Sequence, residues 1–168
     1  MRLPVTLSEI PARMSAGAFI LNSGLGKRAA DDATAANLHG FAAGTYPFLA
    51  KLEPKQFVQL LSTAEIAIGA LLLAPVVPTA VAGGVLTAFS AGLVGLYLRT
   101  PGMRKPGSLA PTEQGLAVAK DIWLLGIGLG MLSRGTIERT DRKVEKAART
   151  LAKANKKVGK AQRKLVKD

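Results

Sequence analysis

The sequence predicts an all-α protein, a four-helix transmembrane bundle with a long basic C-terminal cytoplasmic helix. Residues 56–98 carry one charged side chain, Glu65, and Pro75 and Pro78 divide the stretch into two apolar segments. Each segment is close to the roughly 20 residues that a helix needs to cross a bilayer. The 168-residue chain is 48% hydrophobic and yet has a net charge of +12. From Arg134 onward there are 13 Lys and Arg against 4 Asp and Glu, which indicates an apolar body and a basic tail.

Residues 1–134 are predicted to form the transmembrane domain, and residues 135–168 a basic helical tail. The spans are expected at about 10–26, 56–74, 77–98 and 115–133. The first is the weakest, because Arg13 lies in its first turn. We interpret Arg13 as an interfacial anchor, since a long Arg side chain can extend along a helix to reach the headgroups.

Residues 27–55 are expected to form an outer loop between the first two spans. The first part of this loop is polar, and the second part carries Phe41, Tyr46 and Phe48 between charged residues. Aromatic side chains of this kind favour the membrane–water interface. We therefore expect a short helix that lies in the headgroup region.

Four spans place both termini on one side of the membrane. The basic tail favours the cytoplasm, so we expect a multi-pass protein of the bacterial cytoplasmic (inner) membrane, N-in/C-in. The outer loops also hold basic residues, so loop charges alone do not fix this orientation. The bacterial assignment rests on the alanine-rich, cysteine-free composition.

A polar cluster is predicted in the outer half of the bundle. Glu65 lies near the middle of the second span, where an isolated ionised carboxylate is costly. Lys120 and Asp121 are in the second turn of the fourth span, and Lys27 lies at the outer end of the first. Lys27, Glu65, Lys120 and Asp121 could therefore meet. Two interpretations stay open, a proton or ligand site and a structural salt bridge.

No catalytic residue, metal site or cofactor of its own is predicted for this chain. It has no Cys, which excludes thiol redox centres, iron–sulfur clusters and thiolate zinc sites. Its single histidine, His39, lies in the outer loop and has no predicted partner for catalysis or haem ligation. We expect a protein that is not an enzyme.

The tail carries a heptad pattern of apolar and small residues, typical of a coiled coil. The stripe consists of Val144, Ala147, Leu151, Ala154, Val158, Ala161 and Leu165. Three kinds of partner are compatible with this tail. Anionic lipid headgroups rank first, and a protein partner or a second copy of the chain ranks second. Nucleic acid ranks last, because the tail has no aromatic residue for base stacking.

Three groups of residues resemble the DoxX-like family of small four-helix bacterial membrane proteins. In the first span these are Arg13, Gly17, Phe19, Gly24 and Lys27. The second span has Thr63-Ala64-Glu65, Gly69 and the run LLLAP, and the fourth has Lys120-Asp121-Ile122 and Leu124-Leu125-Gly126. The resemblance covers about residues 10–133 and leaves out the tail.

The resemblance implies a four-helix integral membrane bundle. Members of the family have been linked to quinone-coupled sulfur oxidation and to membrane redox assemblies. For a chain without Cys, this implies a non-catalytic subunit or scaffold of a membrane redox or envelope complex, in contact with quinone or lipid. The alternative function is a small proton- or cation-coupled transporter or channel that uses Glu65.

Overall fold

A computed structural model describes residues 5–165, apart from the side chains of 138, 139 and 157–165. The described chain is helical and contains no β-strand, which confirms the all-α prediction. Its helices are α1 (Ile10–Arg28), α2 (Asp32–Thr45), α3 (Pro54–Leu73), α4 (Thr79–Arg99), α5 (Leu116–Ala119) and α6 (Ile122–Leu165). Two short 3₁₀ helices, Leu7–Glu9 and Pro47–Lys51, precede α1 and α3.

Local sequence signals explain where several helices begin. Proline occupies the first turn of α1 and of α3, where its missing N–H costs no helical hydrogen bond. Asp31 caps α2, because its carboxylate accepts a hydrogen bond of 2.8 Å from the Thr34 backbone N–H. This bond lowers the pKa of the Asp31 carboxyl.

Three helical stretches are long and apolar enough to cross a membrane. They are α3, α4 and the stretch Leu116–Lys156, which includes α5 and most of α6. The first predicted span forms α1, a helix of 19 residues, but α1 is not among the three. Its charged residues Arg13, Lys27 and Arg28 make it more polar than α3 and α4.

Helices α1 and α3 form a tight antiparallel pair. A Cβ atom added to Gly69 of α3 would lie 2.6 Å from the backbone nitrogen of Leu21, and one added to Gly24 of α1 would lie 2.8 Å from that of Ile66. The two backbones therefore touch where glycine is present. Such close approach is the usual way in which helices associate in lipid.

Helices α4 and α6 form a second antiparallel pair, which is built in the same way. Gly83 packs on Leu132, and Gly128 packs on Thr87. The two pairs share one apolar core, to which α1, α3, α4 and α6 all contribute. Its buried members are Ala16, Ile20, Leu72, Ala82, Leu86, Leu124 and Met131.

The surface of this body is apolar, whereas several of its buried side chains are polar. Phe19, Leu60 and Trp123 are 61%, 61% and 71% exposed. Glu65 and Ser62, by contrast, are almost completely buried. A large exposed apolar surface on long helices indicates a membrane environment, because lipid rather than water then covers it.

The connection between the first two predicted spans is largely helical. Helix α2 packs on α3 through Ala35, Ala42, Phe57 and Val58, which form a second small core. His39 also belongs to this contact, since its ring centroid lies 5.5 Å from that of Phe57. The position of α2 in the headgroup region stays a prediction.

Most of the fourth predicted span and the described part of the tail belong to one continuous helix. Helix α6 begins at Ile122 and continues through Gly135 to Leu165. Gly135 lies within this helix and packs closely against Ala80 at the start of α4. Beyond it, Val144 and Leu151 of the predicted stripe are 63% and 65% exposed, and Ala147 and Ala154 are exposed as well. The side chains of Val158, Ala161 and Leu165 lie outside the described set.

Candidate functional site

An ion pair joins the C-terminal part of α1 to the middle of α3, in the half of the body that was predicted to face outward. Lys27 Nζ donates hydrogen bonds to Glu65 Oε2 at 2.9 Å and to Ser23 Oγ at 2.7 Å. The side chain of Glu65 is 6% exposed and that of Lys27 22%. Gly24 makes the pair possible, because its missing side chain lets α1 approach the Cβ atom of Glu65. The buried carboxylate is thereby neutralised.

A second carboxylate, that of Asp121, faces the same cavity from the start of α6. Asp121 interacts electrostatically with both members of the pair, favourably with Lys27 and unfavourably with Glu65. Its backbone bonds to Val118 and Leu125, but its carboxylate forms no hydrogen bond to any described residue. Two carboxylates and one ammonium therefore meet at one place, and one carboxylate has no partner of its own.

Lys120, the fourth residue predicted for this cluster, does not line the cavity and is exposed. The prediction assumed that Lys120 and Asp121 lie within a regular helix. In the structure they lie between α5 and α6, where the chain tightens and the Trp123 N–H bonds to the Lys120 carbonyl. Asp121 turns inward at this break, and Lys120 remains outside.

The cavity beside these charges has a volume of about 510 Å³, which is in the range of ligand pockets. Its walls are mainly apolar, and five aromatic residues line it: Phe19, Phe41, Tyr46, Phe57 and Phe89. Tyr46 is held in place, since its Oη donates a hydrogen bond of 2.8 Å to the Gly92 carbonyl. The cavity thus has a charged end and a long aromatic and aliphatic wall.

Arg13 lies at the opposite end of the body and is not the interfacial anchor that the sequence predicted. The residue is 3% exposed, and its guanidinium donates to the carbonyls of Leu71, Leu72, Ala74 and Val77. The carbonyls at the end of a helix lack intrahelical donors and carry partial negative charge. Arg13 of α1 therefore caps the C-terminus of α3.

Glu9 is a buried charged residue that the sequence analysis missed. It is 3% exposed, its Oε2 accepts from the Thr6 backbone and from Thr79 Oγ1, and its Oε1 lies 3.8 Å from Arg134 Nε. The signal in the sequence is the pair Thr6 and Glu9, which forms a capping box before α1. Glu9 connects the N-terminus with α4 and α6.

The remaining polar residues near the cavity have structural partners. His39 Nε2 lies 2.9 Å from the Leu49 carbonyl oxygen. Ser62 Oγ donates to the Gly24 carbonyl at 2.8 Å. Within the described residues, no three His, Cys, Asp or Glu side chains are close enough to hold a metal ion.

Three comparisons with known proteins gave no match. No family model matches the sequence, and neither a curated protein nor a solved structure is similar to it at a significant level.

Proposed function

We propose that this chain is a non-catalytic scaffold subunit of a bacterial inner-membrane redox or envelope complex. In this proposal it is a DoxX-like four-span bundle with both termini in the cytoplasm. The apolar surface of the body and the three helices of spanning length support the membrane location. The order of the DoxX-like residues supports the family, and their contacts between α1 and α3 are compatible with it.

One observation carries the scaffold function, the continuity of α6 from the apolar core into the basic tail. Helix α6 has 44 residues, and at about 1.5 Å per residue the part after Gly135 extends some 45 Å from the body. A continuous helix cannot bend back onto the lipid surface without a break. We therefore rank a protein partner, or a second copy of the chain, above anionic lipid headgroups for most of the tail.

The tail has two faces that a partner can distinguish. Val144 and Leu151 lie on the apolar stripe, whereas Lys146 and Arg149 lie on the basic side of the same turns. The described stripe residues are exposed, so a second helix can pack against them as in a coiled coil. A scaffold that binds through the stripe should make different contacts on the two faces.

Crosslinking from the tail tests this function. A photo-reactive amino acid is placed at Val144 or Leu151, or at the control positions Lys146 and Arg149, and membranes are irradiated before purification. We expect a discrete crosslinked species from the stripe positions and much less from the controls. Equal crosslinking from both faces, or none, would contradict the scaffold, as would steady quinone reductase turnover by the purified chain.

A second candidate function is supported by the cavity next to the ion pair. A small proton- or cation-coupled transporter would use Glu65 as its ion site, with Lys27 as the group that exchanges with the ion. In liposomes, Glu65→Gln should then abolish pH-dependent flux, whereas Lys120→Gln should not. If the pH-dependent flux of Glu65→Gln equalled that of the unaltered chain, this candidate function would be eliminated.

A further inference from the structure

We propose that the outer cavity binds a lipophilic organic cation, with the Asp121 carboxylate as its counterion. This inference goes beyond the scaffold function, because it needs no partner protein and no contact of the tail. It rests on the juxtaposition of an unpaired carboxylate, a neutralised ion pair and an aromatic cavity of ligand size.

The balance of charge around the cavity selects the sign of the ligand. Lys27 already donates to Glu65 and to Ser23, so its charge is used within the pair. Among the charged residues that line the cavity, an ionised Asp121 carboxylate therefore adds one formal negative charge to the balanced pair. In a site that lipid and apolar side chains surround, an unbalanced charge interacts strongly with a ligand of opposite sign. An anionic ligand would be repelled, and a neutral one would leave the carboxylate uncompensated.

The size and lining of the cavity select an organic ligand. A volume of about 510 Å³ is far larger than a metal ion or a single water requires, since a water occupies roughly 30 Å³ in the liquid. The walls offer mainly carbon atoms, whereas a hard metal ion needs six or more oxygen ligands. A ligand that fits this cavity therefore carries apolar groups around its charge.

The aromatic residues suit the same class of ligand. Phe19, Phe41, Phe57 and Phe89 line the cavity, and ring faces attract cations through their negative electrostatic potential. The chain already shows one such contact nearby, where the Arg99 guanidinium carbon lies 6.0 Å from the centroid of the Tyr46 ring. Alkyl or aryl substituents of the ligand would pack on the same rings.

Binding of two probe ions of matched size tests the proposal. Tetraphenylphosphonium and tetraphenylborate have nearly the same shape and opposite charge. With the purified full-length chain in detergent, we expect saturable binding of the cation and no saturable binding of the borate. Saturable binding of both ions, or of the borate alone, would overturn the proposal, as would a complete lack of saturable binding.

Substitutions around the cavity locate the site. Asp121→Asn should weaken cation binding by about tenfold, the equivalent of about 1.4 kcal/mol. Lys120→Gln is the matched control, because it removes the neighbouring charge outside the cavity and should leave affinity unchanged. Phe41→Ala, which changes no charge, should also weaken binding. Affinity that survives both Asp121→Asn and Phe41→Ala would refute the site.

The outcome is distinguishable from that of the scaffold test. Loss of probe binding in Asp121→Asn should leave crosslinking from Val144 unchanged, because residue 121 and the tail lie at opposite ends of the membrane body. Conversely, absence of tail crosslinks says nothing against the cavity. Circular dichroism and gel filtration of each variant show whether it has folded.

Discussion

The two charged regions of the body differ in how many of their groups have partners. At one end of the body, Arg13 donates four hydrogen bonds, all to carbonyls at or beyond the end of α3. At the other end, Lys27 and Glu65 satisfy each other, but the Asp121 carboxylate has no hydrogen bond to a described residue and faces a cavity. Both regions contain charged residues within or beside apolar segments, which is why the sequence marked them as candidates. Of the two regions, the one with Asp121 has a carboxylate that forms neither a side-chain hydrogen bond nor an ion pair within the described residues, whereas Glu9 near Arg13 has both.

The comparison teaches that burial of a charge does not by itself indicate a site. Arg13 is more deeply buried than Lys27, yet its bonds end within the chain and it acts as a helix cap. A candidate site needs an unpaired group together with space, and Asp121 has both.

The largest effect is expected from Arg13→Met. The substitution leaves the carbonyls of Leu72 and Ala74 without the donors that now satisfy them, at a position that the protein itself shields from water. A loss of roughly 3 kcal/mol or more is expected from such a change. Denaturation in mild detergent should show it as a large fall in melting temperature. If Arg13→Met melted like the unaltered chain, Arg13 would not be the cap that we describe.

The two outer carboxylates should respond differently to neutralisation. Glu65→Gln leaves the ammonium of Lys27 without its counterion and should destabilise the fold by roughly 2 kcal/mol. Asp121→Asn removes no bond, so its melting temperature should stay within the error of the measurement. The double variant Lys27→Met/Glu65→Gln should recover part of the loss. If Glu65→Gln and Asp121→Asn lowered the melting temperature equally, Glu65 would not differ from Asp121 in its contribution to stability, which would contradict the comparison.

Gly24→Ala should disturb the outer ion pair through packing alone. The added methyl group would lie 2.9 Å from the Cβ atom of Glu65 and 2.8 Å from the Ile66 nitrogen, so the helices must separate. Overpacking of this kind costs about 1–3 kcal/mol. Gly26→Ala is the control on the same helix, since nothing lies within 4 Å of its added Cβ. Similar melting temperatures for the two variants would mean that α1 and α3 are not in contact.

Asp31 provides the smallest effect and a reference carboxylate outside the membrane body. Its cap bond to Thr34 lowers its pKa, so the contribution to stability is present above the unfolded pKa of about 3.9 and is lost as pH falls through the folded pKa. The protection factors of the α2 amides, which correct for the intrinsic exchange rate at each pH, should therefore fall on acidification. Asp31→Asn should remove this pH dependence, and an unaltered profile would show that another group causes it.

Local patterns predicted the helices and the outer pair well. Glu65, Lys27 and Asp121 could be selected because each is a charge within or beside an apolar stretch, and depth along the helices placed them at similar levels. The prediction that Lys120 belongs to the cluster was wrong, because no local signal in the sequence shows that the helix is interrupted between α5 and α6. A change of a single turn decides which of two adjacent side chains points inward.

The contacts between distant segments could not be read from the sequence. Arg13 looked like an interfacial anchor because its partners are about 60 residues away and are backbone atoms, which leave no trace in side-chain patterns. The continuity of α6 was missed for a related reason. The change from an apolar to a basic composition suggested a boundary near residue 135, whereas α6 continues through it and Gly135 packs against Ala80.

Membrane insertion of the body is tested most directly by single cysteines, because the chain has none of its own. Single cysteines replace Ala88 on the exposed face of α4, Ser108 in the loop before α5, or Thr150 in the tail. All three residues are exposed in the structure. In intact cells, a membrane-impermeant maleimide should label Ser108→Cys alone. Inverted vesicles should label Thr150→Cys alone, and Ala88→Cys should react only after detergent is added. Labelling of Ala88→Cys in sealed membranes as fast as that of Ser108→Cys would contradict the account.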